Sequence, residues 1–245
     1  MKLLKVLFIW VFLIFICGGD EAGRGALIGP LVIAIVGIKK NLEYKLSENG
    51  VKDSKLLSKK KRKLLFPLIN DICNEIKIIK IYPDEINKAF EDKISLNQLE
   101  AIYFSNLFNK MENEVDCIYL DSPDVIQERF GLTFQSLSKK PVYVKNTKFK
   151  KEKGIKYTKV ISEHKADLKY PVVSAASIIA KVVRDNEIKS IEKKLKIKIG
   201  SGYPSDKITI ETVRRNLKNE KLSAYLRKHW KTLEKIKQTS LFSDF

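Results

Sequence analysis

The chain has 245 residues, of which 44% are hydrophobic and 31% are charged, a balance that is typical of a globular protein and excludes a disordered one. Lys and Arg number 47 against 29 Asp and Glu, so the formal net charge is +18. This excess favours a polyanionic partner, nucleic acid before membrane, although a lysine-rich proteome would raise the charge without creating a binding face. Cys17, Cys73 and Cys117 form no Cys-x-x-Cys pair, so we expect reduced thiols in a cytoplasmic protein and no zinc site.

Residues 1–17 are read as an apolar leader that ends in the first strand. Lys2 and Lys5 precede twelve apolar residues, which resemble the hydrophobic segment of a signal peptide. The run is too short for a comfortable membrane span, and its removal would destroy the strand that leads into the acids beyond it. We therefore expect a buried strand over residues 9–17 and no stable membrane association. A targeting signal and a misplaced start codon remain the alternatives.

Two adjacent carboxylates, Asp20 and Glu21, precede a Gly-Arg-Gly turn at residues 23–25 and a second apolar run at residues 31–38. Carboxylates are costly to bury without a cation, so acids at the mouth of a buried strand indicate a metal site. The glycines permit positive φ and a close approach to a ligand, and the arginine offers planar donors to phosphate or sugar oxygens. A tight turn with solvated acids is the alternative.

Further along the chain, short apolar runs alternate with segments of helical periodicity. This order indicates an α/β fold with helices at the carboxyl end, and we divide it into a catalytic domain (9–199), a helical region (200–237) and a tail (238–245). Residues 145–156 are rich in lysine and form either a solvated hairpin tip, which we favour, or a loop that follows a nucleic-acid backbone. Strands are predicted over 76–82, 116–121, 142–144 and 157–162, and helices over 59–73, 96–111, 123–138, 172–195, 207–218 and 229–237.

Four acids at strand ends or helix starts could share one site: Asp20, Glu21, Asp121 and Asp167. They converge only if their strands lie side by side. Four close carboxylates cannot all ionise without bound cations, and two divalent ions about 4 Å apart would neutralise them and bind the attacking and leaving oxygens of a phosphodiester. Mg²⁺ suits such a site and Mn²⁺ is the expected substitute. Taken singly, Asp121 could equally be a helix N-cap and Asp167 a surface acid.

The segment Asp-Glu-Ala-Gly-Arg-Gly at residues 20–25, followed by Gly29-Pro30, resembles the signature of type 2 ribonucleases H, and the archaeal branch is the closer match. The resemblance implies a ribonuclease H-like mixed sheet flanked by helices, with a C-terminal helical extension. It also implies an endoribonuclease that cuts the RNA strand of RNA–DNA hybrids and cuts 5′ of single ribonucleotides in duplex DNA, leaving 3′-hydroxyl and 5′-phosphate ends. Four further segments also resemble segments of this family, at residues 52–58, 119–122, 164–178 and 200–206.

The same resemblance assigns roles to individual residues. The four acids match the metal ligands of the family. The glycine-rich turn matches backbone groups that read the 2′-hydroxyl, the group that separates RNA from DNA. One tyrosine matches the residue placed against the sugar beside the scissile bond, and two basic residues of the 172–195 helix match positions with structural or phosphate-binding roles. A third lies in residues 52–58, which match a family segment except that Leu56 replaces a lysine. These substrate-binding candidates are Gly23, Arg24, Gly25, Tyr203, Lys55, Lys181 and Arg184.

The last eight residues contain a candidate docking motif. Gln238, Leu241 and Phe245 fit the spacing with which archaeal relatives dock on the replication sliding clamp, although Asp244 replaces the first aromatic residue. The alternative is a frayed terminus with chance apolar residues. We expect a monomer. The rival functions are a non-catalytic basic nucleic-acid-binding protein and a membrane-attached or exported basic protein.

Overall fold

The computed structural model describes residues 14–52 and 56–242. Its strands are β1 (Phe15–Ala22), β2 (Leu31–Lys39), β3 (Glu75–Ile81), β4 (Cys117–Asp121), β5 (Val142–Val144) and β6 (Thr158–Glu163). In the described residues they form a six-stranded sheet with the order β3-β2-β1-β4-β6-β5. Strands β1, β4, β6 and β5 pair in parallel, so their carboxyl ends meet at one edge. The predicted α/β class is confirmed.

Helices flank and connect these strands. Ser58 caps the helix that follows it, as Lys61 N–H donates to its Oγ at 3.2 Å, and Asp206 caps another by accepting from Ile208 N–H at 2.9 Å. No helix in the described ranges is both long enough and apolar enough to cross a membrane. The helices are α1 (Tyr44–Glu48), α2 (Lys59–Ile72), α3 (Pro83–Glu91), α4 (Leu96–Asn109), α5 (Gln127–Leu137), α6 (Ala166–Lys169), α7 (Pro171–Leu195), α8 (Lys207–Arg215), α9 (Glu220–Ser223) and α10 (Lys231–Phe242), with a 3-10 helix at Lys40–Leu42.

The chain forms two compact units. The first contains the described residues of 14–21, 33–79 and 100–182, and the second those of 22–32, 80–99 and 183–242. Each unit has its own apolar interior, which indicates that burial of apolar surface stabilises each of them. In the first, two pairs of phenylalanine rings pack with centroids 6.0 and 5.4 Å apart: Phe104 with Phe130, and Phe108 with Phe134. In the second, Leu27 and Ile28 pack among apolar side chains of α7, α8 and α10.

The first strand differs from the predicted one. The sequence predicts a strand over residues 9–17 with the acids after it. The part before residue 14 lies outside the described residues, and β1 continues through Gly18 and Gly19 to Ala22. Asp20 and Glu21 therefore lie within the strand. Glycine occurs inside this strand because there is no room for a side chain: a Cβ on Gly18 would lie 2.4 Å from the carbonyl carbon of Val172 in α7. The helix packs directly on the strand backbone.

The C-terminal helix also differs from the prediction, which ended it at residue 237. Helix α10 continues to Phe242, so the candidate docking motif begins inside a helix. Gln238 is exposed there. Phe245 lies outside the described residues, and so does the predicted substrate-binding residue Lys55.

Candidate active site

Three adjacent parallel strands bring three of the predicted acids to one edge of the sheet. In the register of β1 with β4, Gly19 pairs with Leu120, so the next residues along are Asp20 and Asp121. Asp121 in turn pairs with Glu163, the last residue of β6. Asp167 follows β6 in the first turn of α6. The side-by-side strands that the four acids require are therefore present.

Asp20 and Asp167 are buried, with 4% and 2% of their surface exposed. Burial raises the pKa of the Asp20 carboxyl, and the negative charge of Asp167 raises this pKa further. This pKa is lowered by the Lys181 ammonium, by a hydrogen bond from Ser177 and by the 2.7 Å hydrogen bond from Glu21 N–H. The two carboxylates are therefore close enough to repel each other, and α7 supplies the positive charge that partly offsets this repulsion.

Lys181 and Ser177 lie one turn apart on α7, and the Lys181 ammonium donates to the Ser177 hydroxyl. The same two side chains act on Asp20. This geometry links Lys181, one of the predicted substrate-binding residues, to the carboxylates themselves. Glu21, the fourth predicted acid, is half-buried next to Asp20 on β1.

Asp121 and His164 fix the turns around the carboxylates. Asp121 Oδ1 accepts a 2.8 Å hydrogen bond from Ala166 N–H, which holds the start of α6 against the end of β4. His164 Nε2 bonds to the Asp124 carbonyl at 2.5 Å, and its Nδ1 lies 3.1 Å from the Gln127 amide nitrogen. These partners match an imidazole that donates from Nε2 and accepts at Nδ1. His164, which follows β6, thus connects the end of that strand to the segment between β4 and α5, a structural role.

The carboxylates suit a hard divalent cation, because all their donor atoms are oxygen and two of the groups are buried near each other. No three His, Cys, Asp or Glu side chains within residues 14–52 and 56–242 are grouped closely enough to hold an ion by themselves. Mg²⁺ is commonly bound by one or two carboxylates and completes its coordination with waters and substrate phosphate oxygens. The donor set therefore fits Mg²⁺ or Mn²⁺, with waters and substrate phosphate oxygens as the remaining ligands.

The Gly-Arg-Gly turn belongs to the second unit and is tightly built. Gly23 has a φ of +95°, and a Cβ there would lie 2.5 Å from Arg184 Nε. Its carbonyl accepts from Ala26 N–H at 3.1 Å, and the Arg24 guanidinium donates to the Asn97 amide oxygen. Gly25 is exposed, and a Cβ there would meet nothing within 4 Å. Gly23 is therefore required by the conformation and by the packing, whereas the backbone at Gly25 is open to a ligand.

This turn is joined to the loop that carries Tyr203. The Gly202 carbonyl accepts from Leu27 N–H at 2.8 Å and from Ile28 N–H at 3.1 Å. Arg184, 2% exposed, donates to the Ser201 carbonyl at 3.1 Å, and its guanidinium carbon lies 4.3 Å from the centre of the Tyr203 ring. Burial lowers the pKa of Arg184. Of the two roles that the sequence left open for Arg184, this geometry fits the structural one.

Sequence reasoning missed Arg227, a fully buried arginine that closes the Gly-Arg-Gly segment. Its Nη1 donates to the Arg24 carbonyl at 2.8 Å, and its Nε and Nη2 donate to the Gly29 carbonyl at 3.3 and 3.2 Å. Its guanidinium carbon lies 5.1 Å from the centre of the Trp230 ring. In so basic a chain one more arginine suggests a surface residue. The local sequence signals for burial of Arg227 are the apolar Leu226 beside it and Trp230 three residues later.

Adjacent parallel strands that bring several acids to one edge of the sheet place the protein in the ribonuclease H-like class of metal-dependent nucleases. The ribonuclease HII family model matches residues 17–233, so the chain belongs to the ribonuclease HII family. The ribonuclease HII of Thermococcus sibiricus is 40% identical over 222 residues, which cover 90% of this chain and 90% of that protein.

Two solved archaeal structures agree with this assignment. Ribonuclease H2 from Pyrococcus horikoshii OT3 superposes with a TM-score of 0.78 at 38% identity, covering 93% of this chain and 99% of that one. The ribonuclease HII in a PCNA complex from Archaeoglobus fulgidus gives 0.73 at 34% identity, covering 89% and 96%. The predicted fold, the family and its archaeal branch are confirmed, and the protein is a metal-dependent endoribonuclease of the type 2 ribonuclease H class.

Proposed function

We propose that the enzyme hydrolyses the RNA strand of RNA–DNA hybrids and also cuts 5′ of single ribonucleotides embedded in duplex DNA, leaving 3′-hydroxyl and 5′-phosphate ends. The observation that carries the proposal is the register of Asp20 on β1 with Asp121 at the end of β4, together with Asp167 in the first turn of the helix after β6. Such activity belongs to DNA replication and to the excision of misincorporated ribonucleotides.

In this proposal Asp20, Glu21, Asp121 and Asp167 are the metal ligands. Two divalent ions, Mg²⁺ or Mn²⁺, would supply Lewis-acid activation of a water molecule and charge stabilisation at the leaving 3′-oxygen. The side chains themselves orient and concentrate negative charge, and no covalent intermediate with the protein is required. Lys181 limits the repulsion between Asp20 and Asp167, so the site can remain folded around its acids.

The Gly-Arg-Gly turn and Tyr203 are proposed to recognise the ribose. A 2′-hydroxyl both donates and accepts hydrogen bonds, and the exposed backbone of Gly25 carries an N–H donor and a carbonyl acceptor. Tyr203 is half-buried, with one face of its ring near the Arg184 guanidinium, so its orientation is restricted. Arg24 is proposed to add the N–H donors of its guanidinium to the backbone donors of the Gly-Arg-Gly turn.

The decisive experiment is cleavage of an end-labelled duplex that contains one ribonucleotide, with Mg²⁺, with Mn²⁺ and with EDTA. We expect a single cut 5′ of the ribonucleotide in either metal and none in EDTA, with an all-DNA duplex of the same sequence left intact. A protein that bound this duplex tightly but left it uncut in both metals would instead be the non-catalytic nucleic-acid-binding protein.

We further propose that residues 238–245 dock on a replication sliding clamp and that the enzyme acts as a cytoplasmic monomer. Support for clamp docking comes from the motif spacing and from the PCNA:ribonuclease HII complex of the Archaeoglobus fulgidus protein. Gln238 lies exposed on α10, so the first position of the motif is accessible.

A further inference from the structure

We propose that the basic loop, defined as residues 145–156 between β5 and β6, binds the phosphodiester backbone of the duplex substrate outside the reaction centre. The proposal rests on the proposed function for the identity of the duplex. The charge and the conformation of the loop argue for it independently.

The basic loop begins near the catalytic edge of the sheet and ends at the opposite edge. At its start, Lys145 Nζ lies 3.5 Å from a carboxylate oxygen of Glu163, the residue that pairs with Asp121. At its end, Lys156 Nζ lies 3.0 Å from Glu114 and 3.3 Å from Asp116, which precedes β4. Six residues of β6 separate these two edges, roughly 20 Å at strand rise. Because duplex DNA rises about 3.4 Å per base pair, the loop can follow about six base pairs.

Aromatic packing gives the basic loop a defined shape. The Phe149 ring lies between those of Tyr143 and Tyr157, with centroids 5.6 and 5.0 Å apart. The Lys151 ammonium sits 4.3 Å from the centre of the Tyr143 ring. Thr147 Oγ1 donates to the Val144 carbonyl at 2.9 Å. A solvated hairpin tip, which the sequence alone favoured, needs no such packing, whereas a preorganised loop loses less entropy on binding.

The lysines of the basic loop divide into anchors and exposed charges. Lys145 pairs with an acid of β6 and Lys156 with acids just before β4. Lys148, Lys150 and Lys153 are exposed and form no ion pair or hydrogen bond within the described part of the chain. Glu152 is the loop's single acid. Unpaired ammonium groups on a shaped loop are suited to phosphates, which they bind as point charges without reading sequence.

Salt dependence of binding tests this proposal directly. A 30-base-pair duplex with one ribonucleotide is titrated in Ca²⁺ by fluorescence anisotropy across a KCl series, with K148Q/K150Q/K153Q against the wild-type protein. Three lost phosphate contacts should reduce the slope of log K against log[salt] by about 2–3. At 150 mM KCl we expect the affinity to fall at least tenfold and KM to rise with it, while kcat changes less than twofold.

The matched control is K45Q/K60Q/K61Q, which removes the same charge from exposed lysines between β2 and β3, at the other side of the sheet. Its salt slope should change by less than 1. Equal slopes for the two triple variants would overturn the proposal, and so would a loss of kcat specific to the loop variant. If instead only binding of poly-L-glutamate were lost, the loop would be a site for acidic proteins. A wild-type protein that binds but never cuts would refute the proposed function while leaving the slope test valid.

Discussion

The guanidinium carbon of Arg184 lies 4.3 Å from the centre of the Tyr203 ring, and the arginine in this contact is buried. The same arginine reaches the Ser201 carbonyl, and any side chain at Gly23 or Gly202 would collide with it. One buried cation therefore sets the spacing between the Gly-Arg-Gly turn and the tyrosine loop. The ring orientation at Tyr203 follows from a residue that a ligand cannot easily reach.

Replacing Tyr203 should separate rate from binding. We expect Tyr203→Ala to lower kcat on a single embedded ribonucleotide by up to ~100-fold, since small misplacements of a sugar reduce the rate steeply, while Kd changes only a few-fold. Tyr203→Phe keeps the ring over Arg184 and should stay near the wild-type rate. Single-turnover kinetics and anisotropy measure the two quantities. A parallel loss of rate and affinity in Tyr203→Ala would make Tyr203 a packing residue.

Arg227→Met should destabilise the second unit. The carbonyls of Arg24 and Gly29 would lose their buried donors, at a cost of about 1–3 kcal/mol each in the free energy of unfolding. Urea denaturation measures this loss. Lys228→Met removes the same charge from the adjacent exposed residue and should change stability by less than about 0.5 kcal/mol. Similar values for the two variants would contradict the role given to Arg227.

Asp121→Asn should abolish cleavage while binding of a hybrid duplex survives. The amide retains the size of the side chain and its carbonyl oxygen can still accept from Ala166 N–H, but the charge needed by the metals is gone. We expect at least a 10³-fold loss in kcat with Kd in Ca²⁺ within threefold of the wild-type value. Near wild-type cleavage in Mg²⁺ would remove Asp121 from the catalytic site.

Asp20→Asn should stabilise the metal-free protein at neutral pH. The folded protein raises the pKa of Asp20, so between its ordinary value and the raised one the folded state binds more protons than the unfolded state, and stability falls as pH rises. Above that range of pH, the free-energy cost of burying the ionised Asp20 carboxylate is fully present. The uncharged amide of Asp20→Asn removes this cost. In EDTA we expect a higher Tm for the variant at pH 7 and a smaller difference towards pH 4.

The control for this prediction is Asp71→Asn, which changes an exposed acid on α2 and should leave Tm unchanged at both pH values. A lower Tm for Asp20→Asn at pH 7 would mean that Lys181 and Ser177 outweigh the cost of burying the carboxylate.

Deleting residues 238–245 should leave cleavage of naked duplex unchanged and abolish capture by the cognate sliding clamp in a pull-down. Gln238 lies exposed on α10, where it can enter a pocket. Since the deletion shortens α10, the double variant Gln238→Ala/Phe245→Ala is tested beside it. An intact chain that shows no clamp binding at micromolar concentrations would refute the proposal.

The sequence predicted the acids and the sheet because these depend on short local patterns: apolar runs that end at Asp121 or lead towards Asp20, and a recognisable spacing to Asp167. It failed where the cause is tertiary. Gly18 and Gly19 suggest a turn, and only the packing of α7 shows why glycines occupy a strand. Arg227 could not be found, because the carbonyls it binds belong to a segment about two hundred residues earlier in the chain.

The close packing at Gly18 has a consequence for natural variation. Because the carbonyl carbon of Val172 would lie 2.4 Å from any Cβ at this position, even alanine must push α7 away from β1. That helix carries Ser177 and Lys181, so the counter-charge of the acids would move with it. An allele with a single uncharged methyl group at Gly18 would therefore resemble a null allele of the nuclease.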